Sequence, residues 1–222
     1  MQFIESAAGE EGIEKMAQEI ADELNAGKRV LWLVCGGSNI PLAKVAMDII
    51  RQKAGDRVAA LTVGQTDERF GPVGHKDSNW QQMIEAHFDF AGVQTMPILF
   101  NASLAETVRA YAKNLEEAFA KNDVVVAQFG IGADGHIAGM LPHTGGLRAE
   151  VLAFSYDSPP FVRISMTPPA FAHVDSAYAF AFGAAKHDAV TKLWQKDLTI
   201  DEMPCQILKR VPESYFYSDQ LG

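Results

Sequence analysis

The sequence predicts an α/β layer fold with a mostly parallel sheet, and three observations favour it. Short apolar runs rich in β-branched residues alternate with longer segments of helical period along the 222 residues, the pattern of strand–helix–strand units. The segment from Asp123 to Phe129 has a strongly apolar interior, typical of a strand that helices cover on both faces. No repeat or linker divides the chain, so residues 1–222 are expected to form a single domain.

The first half of the chain begins with a helix over Glu10 to Asn25, because its apolar residues recur at helical spacing. In the next helix, Pro41 precedes Leu42 in the first turn, where its missing N–H costs nothing. The remaining elements predicted here are the strand Val30 to Val34, the helix Leu42 to Arg51, the strand Val58 to Val63, the helix Asn79 to His87 and the strand Pro97 to Phe100.

The second half continues the alternation, except that the glycine-rich stretch Gly130 to Gly146 is expected to be irregular. In parallel sheets ligands bind beyond the carboxyl ends of the strands, which is where the unusual residues of this chain lie. The predicted elements are the helix Glu106 to Lys121, strands at Asp123–Phe129, Val151–Phe154, Val162–Met166 and Ala177–Phe182, the helix Ala185 to Gln195 and a last strand at Tyr215–Tyr217.

The composition is that of an ordinary globular protein, with 48% hydrophobic and 21% charged residues. The net charge of −9 disfavours nucleic acid and anionic membranes as partners. Only two cysteines are present, Cys35 and Cys205, too few for a disulfide framework and unlike a zinc site. The acidic N-terminus does not resemble a secretory signal, and no stretch is apolar enough to span a membrane. A cytoplasmic protein is expected.

The turn Gly36-Gly37-Ser38 lies between a buried strand and a helix. Backbone N–H groups at such a place can approach an anion at the positive end of the helix dipole, which suits a phosphate or a carboxylate. The alternative is a tight turn in which Ser38 or Asn39 caps the helix. The Gly-Lys-Ser/Thr ending of a Walker loop is absent.

A polar loop follows the second strand with the sequence Asp67-Glu68-Arg69. Two acids and an arginine in one loop can form a solvated salt-bridge cluster. If the loop lies beside the glycine turn, Arg69 supplies a planar donor for a phosphate, and Asp67 directs a carboxylate at the bound ligand.

The segment Gly130 to His136 formally matches the dinucleotide-binding pattern G-x-G-x-x-G. However, Pro142, Gly145 and Gly146 leave no room for the helix that this pattern requires. Asp134-Gly135-His136 is interpreted instead as a loop that presents an imidazole suited to general-base chemistry. A purely structural histidine is the alternative. A metal bound by Asp134, His136 and His143 is disfavoured, because a spaced ligand set is lacking.

Two further cations are candidates for binding an anion. Arg163 lies within a predicted strand, where its side chain could also follow the sheet edge. Lys186 lies at the start of a helix, where a cation opposes the helix dipole. A bound anion would explain that position.

These segments resemble, in the same order along the chain, the motifs of the 6-phosphogluconolactonase family, within the superfamily that includes glucosamine-6-phosphate deaminase. The resemblance also includes Pro41, Pro72, Asp77-Ser78-Asn79 and Pro204. The resemblance implies a Rossmann-like three-layer α/β/α domain and a site without metal or cofactor that hydrolyses 6-phosphogluconolactone in the pentose phosphate pathway. It implies that His136 is the general base, supported by Asp134 or Asp67. The implied phosphate-binding residues are Gly36, Gly37, Ser38, Arg69, Arg163 and Lys186.

The sequence departs from the family pattern at Gly71, where valine is common, and in the loop after His136, which reads Ile137-Ala138-Gly139-Met140-Leu141-Pro142 instead of ending Ala-Ser-Leu-Phe-Pro. Leu141 also replaces the glutamate typical of the deaminase branch, which favours the lactonase. The alternatives are therefore a sugar-phosphate deaminase or isomerase, and a non-catalytic sugar-phosphate-binding module. A nucleophilic-serine esterase is not indicated, because Ser38 lacks the G-x-S-x-G context.

Overall fold

The computed structural model describes residues 1–221, and its helices and strands alternate along the chain as expected. The helices are α1 Glu10–Asn25, α2 Ile40–Ala54, α3 Asn79–Glu85, α4 Leu104–Lys121, α5 Pro168–Phe171 and α6 His187–Gln195. The strands are β1 Gln2–Glu5, β2 Val30–Val34, β3 Leu61–Gln65, β4 Asp67–Arg69, β5 Gln94–Met96, β6 Val124–Gly130, β7 Ala153–Ser158, β8 Phe161–Met166, β9 Ser176–Phe180 and β10 Glu213–Ser218.

Seven strands form one sheet in the order β1-β10-β9-β6-β2-β3-β5, and every pairing in it is parallel. The predicted α/β fold with a mostly parallel sheet is confirmed. The carboxyl ends of β2, β3, β6 and β9 therefore meet at one edge of the sheet, where the predicted site residues follow them.

Side-chain alternation along β2 explains the three layers. Val30, Trp32 and Val34 pack into a core with the apolar faces of α1 and α2, whereas Leu31 and Leu33 belong to the core that contains residues of α4 and α6. All five residues are buried, because helices cover both faces of a parallel sheet.

Local signals fix the ends of the helices. Ser103 and Glu106 form a capping box at the start of α4, which satisfies backbone N–H groups that have no partner within the helix. Pro41 lies in the first turn of α2, as predicted.

A second, three-stranded antiparallel sheet with the order β4-β8-β7 was not predicted. In it Arg69 is paired with Arg163 and Asp67 with Ser165. Because side chains alternate between the faces of a strand, Asp67, Arg69 and Arg163 share one face, while Glu68 and Ile164 lie on the other. This sheet brings two separate motifs of the sequence together.

Several predicted elements need correction. Pro97–Phe100 is not a strand; the strand is β5, which ends before Pro97, a residue that has no N–H to donate to a ladder. Residues 58–60 belong to a 3-10 turn, Gly55–Ala60, so β3 begins at Leu61. The strands β1 and β4, helix α5 and the 3-10 turn Pro204–Arg210 were missed, since segments this short carry little periodicity.

Candidate active site

A cavity of about 460 Å³ opens at the carboxyl ends of the parallel strands, against the polar face of the small sheet. It is lined by eight of the nine residues that the sequence singled out: Gly36, Gly37, Ser38, Asp67, Arg69, His136, Arg163 and Lys186. The ninth, Asp134, lies behind His136 and lines a smaller neighbouring cavity of about 140 Å³.

The imidazole of His136 is held by Asp134. Oδ1 of Asp134 lies 2.6 Å from Nδ1 of His136 and also accepts the backbone N–H of His136 at 3.0 Å. The hydrogen bond from His136 is the main cause that lowers the pKa of Asp134 to about 2. An ionised carboxylate only accepts hydrogen bonds, so Nδ1 carries a proton, and in the neutral form of the ring this leaves the lone pair on Nε2.

Glycines in this loop make the His136–Asp134 contact possible. A Cβ on Gly132 would lie 2.0 Å from Nδ1 of His136 and 2.5 Å from Oδ1 of Asp134. Gly135 adopts a left-handed φ of 81° in the tight turn between the two residues. The G-x-G-x-x-G pattern of this segment therefore serves to present an imidazole, and no helix follows it directly.

The two arginines of the cavity are direct neighbours across β4 and β8. Like charges at opposite positions of antiparallel strands repel each other. Arg69 donates from Nη1 to the carbonyl of Asp77 at 2.9 Å, and Nη1 of Arg163 lies 4.0 Å from Oδ2 of Asp67. A single carboxylate near two guanidinium groups leaves positive charge in the cavity.

The carboxyl group of Asp67 is buried beneath these arginines, with 6% of the residue exposed. Burial raises its pKa, and the hydrogen bond from Thr66, together with Arg163 and Arg69, opposes this rise. Among the described residues no hydrogen bond joins Asp67 to His136, so Asp134 is the carboxylate that orients the imidazole.

Lys186 enters the cavity from a third direction. It ends the 3-10 turn Ala184–Lys186 and immediately precedes α6. Within residues 1–221 it takes part in no ion pair. A cation at the start of a helix is electrostatically unfavourable unless an anion accompanies it.

Glu68, whose role the sequence motif does not indicate, organises the loop that carries Arg69. It is fully buried and accepts hydrogen bonds from the backbone amides of Arg69, Asn79 and Trp80 at 2.7, 2.7 and 3.0 Å. Gln65 and Ser78 donate to it from their side chains at 2.9 and 2.8 Å. Five charge-assisted bonds fix the backbone on both sides of the loop.

The glycine turn lies directly against Asn79, another residue without an assigned role. A Cβ on Gly36 would lie 1.9 Å from Oδ1 of Asn79, while Nδ2 of Asn79 donates to the carbonyl of Asp67 at 3.0 Å. Asn79 thus ties the turn after β2 to the loop after β3. Its place beside Asp77 and Ser78 in the motif was the only signal in the sequence.

Close packing explains two glycines among the departures from the family pattern, Gly71 and, in the loop after His136, Gly139. A Cβ on Gly71 would lie 2.8 Å from the ring of His75, whose Nε2 is 3.0 Å from the carbonyl of Arg69. A Cβ on Gly139 would lie 2.8 Å from Cβ of Ser165 and 3.2 Å from that of Asp67. Glycine at both positions allows the surrounding loops to approach.

His143, the third residue of the disfavoured metal set, does not line the cavity; its Nδ1 lies 3.0 Å from Oδ2 of Asp201. In the described part of the chain, no three His, Cys, Asp or Glu side chains cluster in a way that would hold a metal ion. None of the helices over residues 1–221 is both long and apolar enough to cross a membrane.

The chain is similar to several 6-phosphogluconolactonases. It is 27% identical over 180 residues to the 6-phosphogluconolactonase of Mycobacterium tuberculosis, covering 74% of this chain and 72% of the relative. It is 26% identical over 202 residues to the human GDH/6PGL endoplasmic bifunctional protein, which covers 84% of this chain, but it spans only 25% of that protein's length.

Solved structures show the same fold. A 6-phosphogluconolactonase of Thermotoga maritima superposes with a TM-score of 0.80 at 17% identity, covering 98% of this chain and 97% of the other. A monomeric glucosamine-6-phosphate deaminase superposes equally well, with a TM-score of 0.79 at 19% identity and coverage of 99% and 98%. The fold alone therefore does not distinguish the two activities. The family model described as glucosamine-6-phosphate isomerases/6-phosphogluconolactonase matches residues 5–216, and the chain belongs to that family.

Proposed function

We propose that this protein hydrolyses 6-phosphogluconolactone to 6-phosphogluconate. The observation that supports it most is that an imidazole oriented by Asp134 lines the same cavity as three cations, Arg69, Arg163 and Lys186. Such a cavity fits a small sugar-phosphate lactone, which carries an anionic group at one end and an electrophilic carbonyl at the other.

Buried, unpaired Cys35 and Cys205 support our further proposal of a reducing, cytoplasmic location.

In this proposal the cations anchor the phosphate. Arg69 and Arg163 present planar guanidinium groups, which match phosphate oxygens in a two-point geometry, and Lys186 adds a third charge. The backbone amides of Gly36, Gly37 and Ser38 supply neutral donors at the start of α2. An anchored phosphate fixes the lactone relative to His136, which removes the entropic cost of aligning the reacting groups.

The reaction then needs one proton acceptor and one proton donor, and His136 serves as both. Nε2 takes a proton from a water molecule while the water oxygen bonds to the lactone carbonyl carbon. When the tetrahedral intermediate collapses, the bond from that carbon to the ring oxygen breaks, and the imidazolium returns the proton to the departing oxygen. Asp134 stabilises the imidazolium without itself taking the proton.

The alternative function as a sugar-phosphate deaminase is less well supported, because Leu141 occupies the position where the deaminase branch of the family carries a glutamate. Leu141 does not line the cavity, whereas Asp67 and His136 do. No carboxylate therefore stands at that place in the loop to assist ring opening. The absence of this group supports hydrolysis over isomerisation.

The test is acid release from freshly generated 6-phosphogluconolactone, followed at constant pH by titration. We expect turnover well above spontaneous hydrolysis and no ammonia release from glucosamine 6-phosphate. Ammonia release would support the deaminase instead. A rise in melting temperature with 6-phosphogluconate, without turnover of either substrate, would indicate a binding module.

A further inference from the structure

We propose that Phe161, at the tip of the β7–β8 hairpin, is a positioning residue that holds the two arginines of the cavity ready for an anion. The inference rests on the proposed function in so far as the anion is the phosphate of the substrate. It assigns a role to a residue outside every motif in the sequence and outside the cavity lining.

The ring of Phe161 lies beside both guanidinium groups. The central guanidinium carbon of Arg69 is 5.4 Å from the ring centroid, and that of Arg163 is 5.9 Å from it. Both distances lie within the range of about 6 Å in which a cation is attracted to the face of an aromatic ring. One ring therefore contacts two like charges that would otherwise separate.

The arginines have few other restraints. Within residues 1–221, the guanidinium group of Arg69 donates one hydrogen bond, to the carbonyl of Asp77, and that of Arg163 has only the 4.0 Å ion pair with Asp67. Nε of each arginine is buried without a hydrogen-bond partner in the part of the chain that the structure describes. Their orientation thus depends on packing more than on hydrogen bonds.

The strand geometry places the ring where it can act in this way. Phe161 and Arg163 are two residues apart on β8 and so share a face, and Arg69 is the register partner of Arg163 on the same face. Without the ring, the guanidinium groups are free to turn apart in the unliganded protein. Anion binding would then have to order both of them again.

The experiment compares the binding of 6-phosphogluconate and of inorganic phosphate by calorimetry in three variants. Phe161→Leu removes the ring and keeps apolar bulk, whereas Phe161→Tyr keeps the ring. Phe154→Leu is the matched control. Phe154 is a half-buried aromatic residue on β7 that lies on the same face of the small sheet as Phe161, but no guanidinium group lies over its ring.

We expect Phe161→Leu to raise the Kd for both ligands about 5- to 30-fold, from the loss of one weak cation–π attraction per arginine. Phe161→Tyr and Phe154→Leu should remain within about twofold of the wild type. In turnover, Phe161→Leu should raise KM for the phosphorylated lactone and leave kcat unchanged. Its activity on the same lactone without the phosphate should not change.

Unaltered affinity in Phe161→Leu would overturn the inference, as would equal losses in Phe161→Leu and Phe154→Leu. If Phe161→Leu does not fold, Phe161→Met takes its place with the same expectations. Ring-dependent phosphate binding in a wild type without lactonase turnover would refute the proposed function and leave this inference standing. Lactonase turnover in the wild type together with phosphate binding that does not depend on the ring would support the proposed function and refute this inference.

Discussion

The substitution Gly132→Ala tests whether the contact between His136 and Asp134 drives turnover. The added Cβ would lie 2.0 Å from Nδ1 of His136, whereas non-bonded carbon contacts are comfortable at about 3.5 Å. The ring must therefore move by about 1.5 Å, and a displacement of about 1 Å can cost a factor of about 10² in rate. Gly132 has no left-handed φ, so the backbone accepts alanine.

We expect kcat for 6-phosphogluconolactone to fall about 10²- to 10⁴-fold, the range that a general base contributes. The Kd for 6-phosphogluconate should stay within about threefold of the wild type, since the atoms nearest to the added Cβ belong to His136 and Asp134. The assay is titration at constant pH for kcat and calorimetry for Kd.

The matched control for this substitution is Gly145→Ala. Its Cβ would meet Phe154 at an ordinary 3.4 Å, and Gly145 also lacks a left-handed φ. If Gly132→Ala retains kcat within about threefold of the wild type, the displacement of the imidazole or its role in catalysis is wrong. An equal loss in Gly145→Ala would show that the effect is not specific to the contact.

Three further predictions follow from the charged groups. Asp67→Asn should raise the free energy of unfolding at about pH 7, because burial raises the pKa of Asp67 and its ionisation in the folded state costs stability. In urea unfolding this gain should vanish below about pH 4, and a gain that persists there would contradict the assignment. Glu68→Gln should lower the free energy of unfolding by about 2–4 kcal/mol, because the negative charge is lost and an NH2 group replaces one of the two carboxylate oxygens that accept the backbone amides. An unchanged urea midpoint would contradict this. Asp134, with its pKa lowered to about 2, should add no inflection to the profile of kcat/KM above about pH 4; an inflection that Asp134→Asn removes would show that its pKa is not lowered.

The sequence was informative where periodicity was strong. The bounds of α1 were predicted correctly because its sixteen residues follow a helical period, and those of β2 because its five residues form one continuous apolar run. The position of Lys186 at the start of a helix and the approach of Asp134 to His136 were also foreseeable, since both depend on residues close in sequence.

What could not be predicted depends on pairing between distant segments. The strand β4 has only three residues, and its existence depends on β8, almost a hundred residues further along the chain. The neighbouring positions of Arg69 and Arg163, and of Phe161 beside them, follow from that register alone. Likewise, the five bonds to Glu68 come from a fold in which two loops close around one buried carboxylate.

The central claim is that the site is divided, with proton transfer at one end and phosphate binding at the other. Measuring both kcat and Kd in His136→Ala tests this claim most directly. Its kcat for 6-phosphogluconolactone should fall about 10²- to 10⁴-fold, while its Kd for 6-phosphogluconate stays within about threefold of the wild type. Turnover that survives the loss of the imidazole, or binding that is lost together with it, would contradict the division.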